Sequence, residues 1–135
     1  MISTALCNTY KREMFEGVHS LTDEYRIALY TDKAALDSNT EAYTPEGEVS
    51  GLNYEACGKA VSGVRSGIDS AIAFLSFDSV SWKNATITAR GAMVYNASKG
   101  NRAVAVFDFG KDVVSVNGTF VVELPSGSSS LIRIA

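Results

Sequence analysis

The chain has little of what enzymes and secreted scaffolds usually depend on. Among its 135 residues there is one histidine, His19, and there are two cysteines, Cys7 and Cys57. A disulfide scaffold in so short a chain needs more cysteines. Two free, buried thiols are therefore expected, with a Cys7–Cys57 bridge as the alternative. A Ser-His-Asp or Cys-His pair would have to use His19, and one histidine with two distant cysteines lacks any zinc-ligand spacing. Basic residues are also few: 12 Lys and Arg against 15 Asp and Glu give a net charge of −3, and Lys11-Arg12 is the only adjacent basic pair. That excludes a general affinity for nucleic acid, which needs clustered cations. No apolar run reaches the length of a membrane span. The first residues turn charged before an apolar signal core can form, so the protein is expected to be made in a cytoplasm and to stay off membranes.

What is present is strand material. The hydrophobic share of 46% supports one domain with a proper core. Residues 4–16 carry a helical period, with Leu6, Tyr10, Met14 and Val18 recurring every four residues. Ser3 or Thr4 can cap the start, and Gly17 suits the end. From Glu24 the period changes to two: Tyr25, Ile27 and Leu29 alternate with Arg26, Ala28 and Tyr30. Thr31 to Gly51 is polar and predicts a long loop, and residues 31–57 as a whole are expected to project. Further strands are expected at Lys59–Val64, Ala71–Phe77, Ser79–Trp82, Ala85–Tyr95, Arg102–Phe109, Val113–Val116, Thr119–Leu124 and Leu131–Ile134. Turn signals at Ser66-Gly67, Ser98–Asn101, Gly110–Asp112, Asn117-Gly118 and Ser126–Ser128 separate them, and Asn117-Gly118 has the residues of a type I′ hairpin. Many short strands at this spacing predict a mainly β fold. The expectation is an antiparallel β-sandwich or jelly-roll-like domain, residues 1–135, with one N-terminal amphipathic helix within residues 1–20. Within Val80–Asn96, Ile87, Ala89, Gly91, Met93 and Tyr95 share one face, so Gly91 is expected to mark a bend or a close backbone approach.

Candidate chemistry is sparse. His19 follows the helix, where the macrodipole favours positive charge. Asp108-Phe109-Gly110 spells a kinase magnesium motif, but no phosphate loop or His-Arg-Asp loop accompanies it, so a strand end and turn are expected. Asn84, Asn96 and Asn117 begin Asn-x-Ser/Thr sequons that turn chemistry explains. Asp69, Asp78, Asp108 and Asp112 lack the spacing of a calcium loop and lie near turns. Trp82 is expected in the core. Tyr43, Pro45 and Tyr54 flank the long loop, and exposed tyrosines there would suit partner binding. The alternative is that they pin the loop onto its own domain. No catalytic residue, metal ligand or cofactor site is expected.

Taken in order, the segments resemble a family of small structural proteins of tailed bacteriophages. The resemblance starts with the opening helix that ends at Gly17 and continues through Ile27-Ala28-Leu29-Tyr30-Thr31. Next comes Tyr43-Thr44-x-x-Gly47-Glu48-Val49-x-Gly51-x-x-Tyr54, with Gly58 beyond it. Phe77-Asp78 and Trp82 follow, then Ala85-Thr86-x-x-Ala89-Arg90-Gly91-Ala92-x-x-Tyr95-Asn96. Phe107-Asp108-Phe109-Gly110 and Gly118-Thr119-Phe120-x-Val122-x-x-Pro125 close the series. Cys57 departs from the pattern, which has glycine at that position. The resemblance implies a virion component without enzymatic activity, first a head decoration or cement protein, with a tail or tail-fibre component in host attachment as the alternative. It implies the major capsid protein or other virion proteins as partners, self-association on the virion, and no cofactor. Met1–Thr4 and Thr31–Gly51 would then be the projecting arms.

Overall fold

Backbone pairing along Val80–Asn96 organises the molecule. In the computed structural model, which describes residues 1–135, the elements follow as β1 (Ala5–Leu6), α1 (Asn8–Phe15), β2 (Tyr25–Tyr30), β3 (Lys59–Ala60) and β4 (Arg65–Asp69), then β5 (Ile72–Ser76), β6 (Val80–Asn96), β7 (Arg102–Val122) and β8 (Arg133–Ile134). They form an antiparallel five-stranded sheet in the order β1-β7-β6-β2-β3 and a three-stranded sheet in the order β4-β5-β8. The fold is thus mainly β and sandwich-like, with a single α-helix near the N-terminus.

The expected strands Ser79–Trp82 and Ala85–Tyr95 merge into β6, and three more merge into β7. Their separating turn signals are absorbed as irregularities in one ladder. Asn117-Gly118 is not a hairpin. Ala85 pairs with Gly118 and Ile87 with Ser115, so β7 carries one extra residue there, with Asn117 at φ 49°. The left-handed conformation that would have made a turn makes a bulge instead, and the Asn117 amide donates to Thr86 Oγ1 at 3.2 Å. Asn84, at φ 51°, is the extra residue on β6 between Trp82 and Ala85. Asp108-Phe109-Gly110 likewise lies inside β7, at the register break between the Gly91–Asp108 and Ala89–Val113 pairs. Ser66-Gly67 falls within β4. The turn there is Ser70-Ala71, with Ser70 at φ 56°, and the Phe74 ring covers Gly67 from the paired strand.

The helix is shorter than its periodicity predicts. Residues 5 and 6 are drawn into β1, where they pair with Val106 and Ala105, and the Cys7 amide donates to Val104 O at 2.9 Å. The sheet edge satisfies backbone groups that a first helical turn would leave unpaired, so α1 starts at Asn8 without a side-chain cap. Its end agrees with expectation. Val18 N donates to Glu13 O at 3.1 Å and Gly17 N to Met14 O at 3.3 Å, the bond pair of a Schellman motif. Leu6 leaves the predicted stripe, and the helix buries Tyr10 together with Glu13.

Neither predicted arm projects. Ile2 is buried, the Ser3 amide donates to Leu36 O at 2.8 Å, and the N-terminal ammonium donates to Ala34 O at 2.8 Å. Within residues 31–57, Ala34, Leu36, Val49 and Tyr54 are buried. Val49 N donates to Leu29 O at 2.9 Å and Thr86 N to Leu52 O at 3.1 Å, so the segment covers sheet edges of β2 and β6. Its few apolar residues are enough to bury it, because its backbone groups find partners on strands that would otherwise be open.

The core gathers 29 buried apolar residues, Trp82 among them. In the second half of β6 both faces are buried, and Gly91 sits at the tightest point. A Cβ there would meet Phe107 O at 2.3 Å and Ile2 Cδ1 at 2.7 Å, which is the close approach expected of this glycine. Gly91→Ala is therefore expected to lower stability by about 1–3 kcal/mol through overpacking, several degrees of Tm by thermal unfolding. Gly118→Ala, whose Cβ would meet nothing closer than 3.4 Å, is expected not to lower it.

Candidate functional site

Tyr43 and Tyr54 converge on a carboxylate that the sequence reading did not single out, while Pro45 stays outside the cluster. Tyr54 is buried, Tyr43 is half-buried against the Tyr95 ring with centroids 5.0 Å apart, and Pro45 is exposed. The Tyr43 hydroxyl donates to Glu48 Oε1 and the Tyr54 hydroxyl to Glu48 Oε2 at 2.6 Å. The Cys57 amide adds a third bond to Oε2 at 3.0 Å, and Leu29 N donates back to the Tyr54 oxygen at 2.9 Å. Burial, then the bonded Glu48 carboxylate, pushes both phenols well above their ordinary range, so they remain protonated donors. Of the two readings left open by the sequence, the geometry matches the second: these tyrosines pin residues 43–57 to their own domain, and only Pro45 of the three is exposed.

The turn around Cys57 is held from several sides. Its carbonyl accepts from the Tyr95 hydroxyl and from Arg26 Nε at 3.3 Å, while Arg26 Nη2 donates to Gly58 O at 2.9 Å. Cys57 has φ 76°, a left-handed conformation that glycine adopts without strain, and this is the position where the resembled pattern has glycine. Gly58 follows at φ 75°, and a Cβ on it would meet Ile27 O at 1.9 Å. Both cysteines are free, Cys7 buried and Cys57 exposed, so the expected burial holds for one thiol only.

His19 occupies a second polar cluster at the end of the β6–β7 hairpin. Asn96 Oδ1 accepts from Ser98 N at 3.0 Å, and Asn96 Nδ2 donates to Asp23 Oδ2 at 2.8 Å. That fixes the amide orientation, so Nδ2 also donates to His19 Nδ1 at 2.9 Å, and His19 Nε2–H donates to Glu13 Oε1 at 2.9 Å. Arg102 Nη1 donates to Glu13 Oε2 at 2.8 Å, and Lys99 Nζ bonds both Asp23 oxygens at 2.8 Å. The His19 and Glu13 side chains are each only 4% exposed. Burial alone would raise the Glu13 pKa, but the bonds from His19 and Arg102 outweigh it and hold it below the usual carboxylate value. Asp23 is lowered to about 2, first by Asn96 and then by Lys99. Neither nitrogen of His19 has a hydroxyl or thiol partner, so the geometry assembles no nucleophile–base pair.

The aspartates do not come together as an acid–base pair. Asp78 bonds Arg65 at 2.9 Å, and Asp108 bonds Arg90 Nε at 3.1 Å while accepting from Gly110 N at 2.9 Å. Asp69 and Asp112 are exposed, and no group of three or more His, Cys, Asp or Glu side chains forms a metal-holding cluster. Of the sequon asparagines, Asn96 is fully buried and Asn84 and Asn117 sit at bulges. An apolar groove of about 280 Å³ runs between α1 and the second sheet. Tyr10, Phe74 and Ile132 line it, and Leu21 and Ile134, both exposed, stand on its walls. No helix is long and apolar enough to cross a membrane.

Glu48, Glu13 and Asn96 were missed by sequence reasoning. The available signal was that Glu48 lies between the two flanking tyrosines, Tyr43 and Tyr54, next to a glycine and before the buried Val49. Nothing local marks Glu13 or Asn96, whose partners lie far away in sequence. Compared with protein-family models, with curated proteins and with solved structures, the chain matches none of them.

Two outcomes are expected. Burial, followed by the nearby Asp37 charge, pushes the Cys7 thiol up to about 12, so a thiol reagent should label one cysteine rapidly in the native protein, at Cys57, and the second only after unfolding. Glu13 and Asp23 have depressed folded-state pKa values, so their contribution to stability is complete above the ordinary carboxylate range. It is lost as pH falls through about 4 toward 2. Urea unfolding from pH 7 down to pH 3 should show that decline, and it should be shallower in Asp23→Asn and Glu13→Gln.

Proposed function

We propose that this chain is a non-enzymatic structural protein of a tailed-bacteriophage virion. Within that class the reading is a capsid decoration or cement protein, made in the bacterial host and bound to the head shell through the major capsid protein. The phage assignment rests on the ordered resemblance from the opening helix to Pro125. The observation that carries the non-enzymatic part is the inward commitment of the polar clusters. His19 is bonded on both ring nitrogens by Glu13 and Asn96, Arg102 takes the other Glu13 oxygen, and Glu48 is held by two phenols and an amide. Asp78 and Asp108 each carry an arginine. By contrast, apolar side chains such as Phe15, 94% exposed, are left at the surface, where they suit association rather than catalysis.

A rigid sheet domain whose loops are tied down meets the mechanical needs of a clamp between shell subunits, since it loses little conformational freedom on binding. The test is direct. Purified protein added to capsids that lack it should co-sediment with them at a fixed stoichiometry and raise their disruption temperature. Binding to isolated tails or to the host surface, with capsids ignored, would move the assignment to a tail component, and inertness toward all of these would end the virion reading.

A further inference from the structure

The only histidine of the chain, His19, is held in one protonation state by partners that cannot be turned around. Asn96 is the reason. Its Oδ1 accepts from Ser98 N at 3.0 Å and its Nδ2 donates to Asp23 Oδ2 at 2.8 Å, so the amide presents a donor to His19 Nδ1 at 2.9 Å. Nδ1 must therefore be bare, and the single ring proton sits on Nε2, which donates to Glu13 Oε1 at 2.9 Å. A second proton has only Nδ1 to occupy, where it would face the Asn96 Nδ2 group donor to donor. Turning the amide over would aim Oδ1 at the Asp23 carboxylate and Nδ2 at the Ser98 N–H, and both bonds would be lost. Turning the ring over would put carbon where each nitrogen is now bonded.

The surroundings do not offset that conflict. From α1 come Glu13 and the Tyr10 ring, whose centroid lies 4.7 Å from that of His19. The approach to β2 brings Asp23 and Tyr25, the 97–99 turn brings Lys99, β7 brings Arg102, and β8 brings Arg133 on the far wall of the groove. Burial raises both phenols, so they stay neutral. Glu13 is paired with Arg102 and Asp23 with Lys99, each at 2.8 Å, so these four charges cancel. Arg133 is exposed and bonded to Ser130 O at 2.8 Å. Glu13 attracts a charged ring, but it already takes the Nε2 proton, so a second proton adds no bond there. With the side chain 4% exposed, a charge on the ring has also lost its hydration.

We propose that His19 is a proton-operated latch between the segment that follows α1 and the end of the β6–β7 hairpin. A proton on Nδ1 breaks the Asn96 contact, frees residues 18–23, and withdraws the His19 ring from the wall of the groove beside α1. The ladder of β6 and β7 stays closed, because none of its backbone bonds passes through the ring. The latch stands apart from the virion role and is tested on the purified chain alone.

The experiment is NMR on the full chain without a histidine tag, from about pH 7.5 to about pH 5, which brackets the ordinary histidine range. Glu13 and Asp23, both held below the usual carboxylate value, stay charged across that window. At the upper end the ring should carry its proton on Nε2 and none on Nδ1. As the ring gains its second proton, the Asn96 side-chain amide signals should move with it. Exchange protection of the Val18 and Asp23 amides, which donate to Glu13 O and Ser20 O, should fall about ten-fold, the worth of one lost bond. Amides of the β6–β7 ladder should keep theirs. His19→Gln offers a donor and an acceptor without a titrating ring and should hold the protection constant. A proton on Nδ1 at the upper end, a protonated ring with Asn96 unmoved, or constant protection across the window would overturn the proposal. So would a loss shared by the whole domain, or the same loss in His19→Gln. The titration of the unaltered chain decides the matter even where that variant does not fold.

Discussion

The pairing of β6 with β7 is the constraint on which the rest of the structure depends. It is the longest ladder in the molecule; β1 joins it beside β7, and β2 joins it beside β6 and carries β3 on its far edge. It holds together despite its irregularities, because bulges on both strands absorb residues that would otherwise shift its register. A one-residue slip would turn the buried face of β6 outward, so Asn84 and Asn117 do their work by letting the backbone enter the left-handed region without ending the strand. Gly91 lets the ladder come close to Ile2 and the Phe107 carbonyl, which brings the N-terminal segment onto the sheet.

Two polar clusters, one buried and one half-buried, then secure what the ladder positions. At the hairpin end, Asn96 of β6 and Arg102 of β7 reach His19, Glu13 and Asp23, joining α1 and the approach to β2 to the main sheet. Beside Tyr95, Glu48 gathers Tyr43, Tyr54 and the Cys57 amide and keeps residues 43–57 on the domain. Carboxylates withdrawn from water are costly unless their oxygens are bonded, and both oxygens of the buried Glu13 and of the half-buried Glu48 are bonded. The consequence for function is that groups able to do acid–base work are used to hold loops.

On the proposed reading, the outer surface is where the molecule acts. The groove beside α1 is lined mostly by apolar side chains, and Val113–Val122 of β7 carries no charge. A protein built this way is suited to joining other surfaces, which is what the proposed virion role would require.

Much of this was legible in the residues. The alternation at Tyr25–Tyr30 gave a strand, Gly17 gave the helix end, and the shared face of Ile87, Ala89, Met93 and Tyr95 gave a buried strand with a glycine at its tight point. Local patterning determines these because period and backbone preference are properties of neighbouring residues. Tertiary structure alone decided that Asn117-Gly118 would be a bulge and Leu6 a strand residue, since a waiting sheet edge outcompetes a local turn or helix start. It also decided that Glu48 would be a hub and Tyr54 a core residue. Those roles come from hydrogen bonds between residues brought together by the ladder, and no sequence pattern records a partner that only the folded chain places within reach.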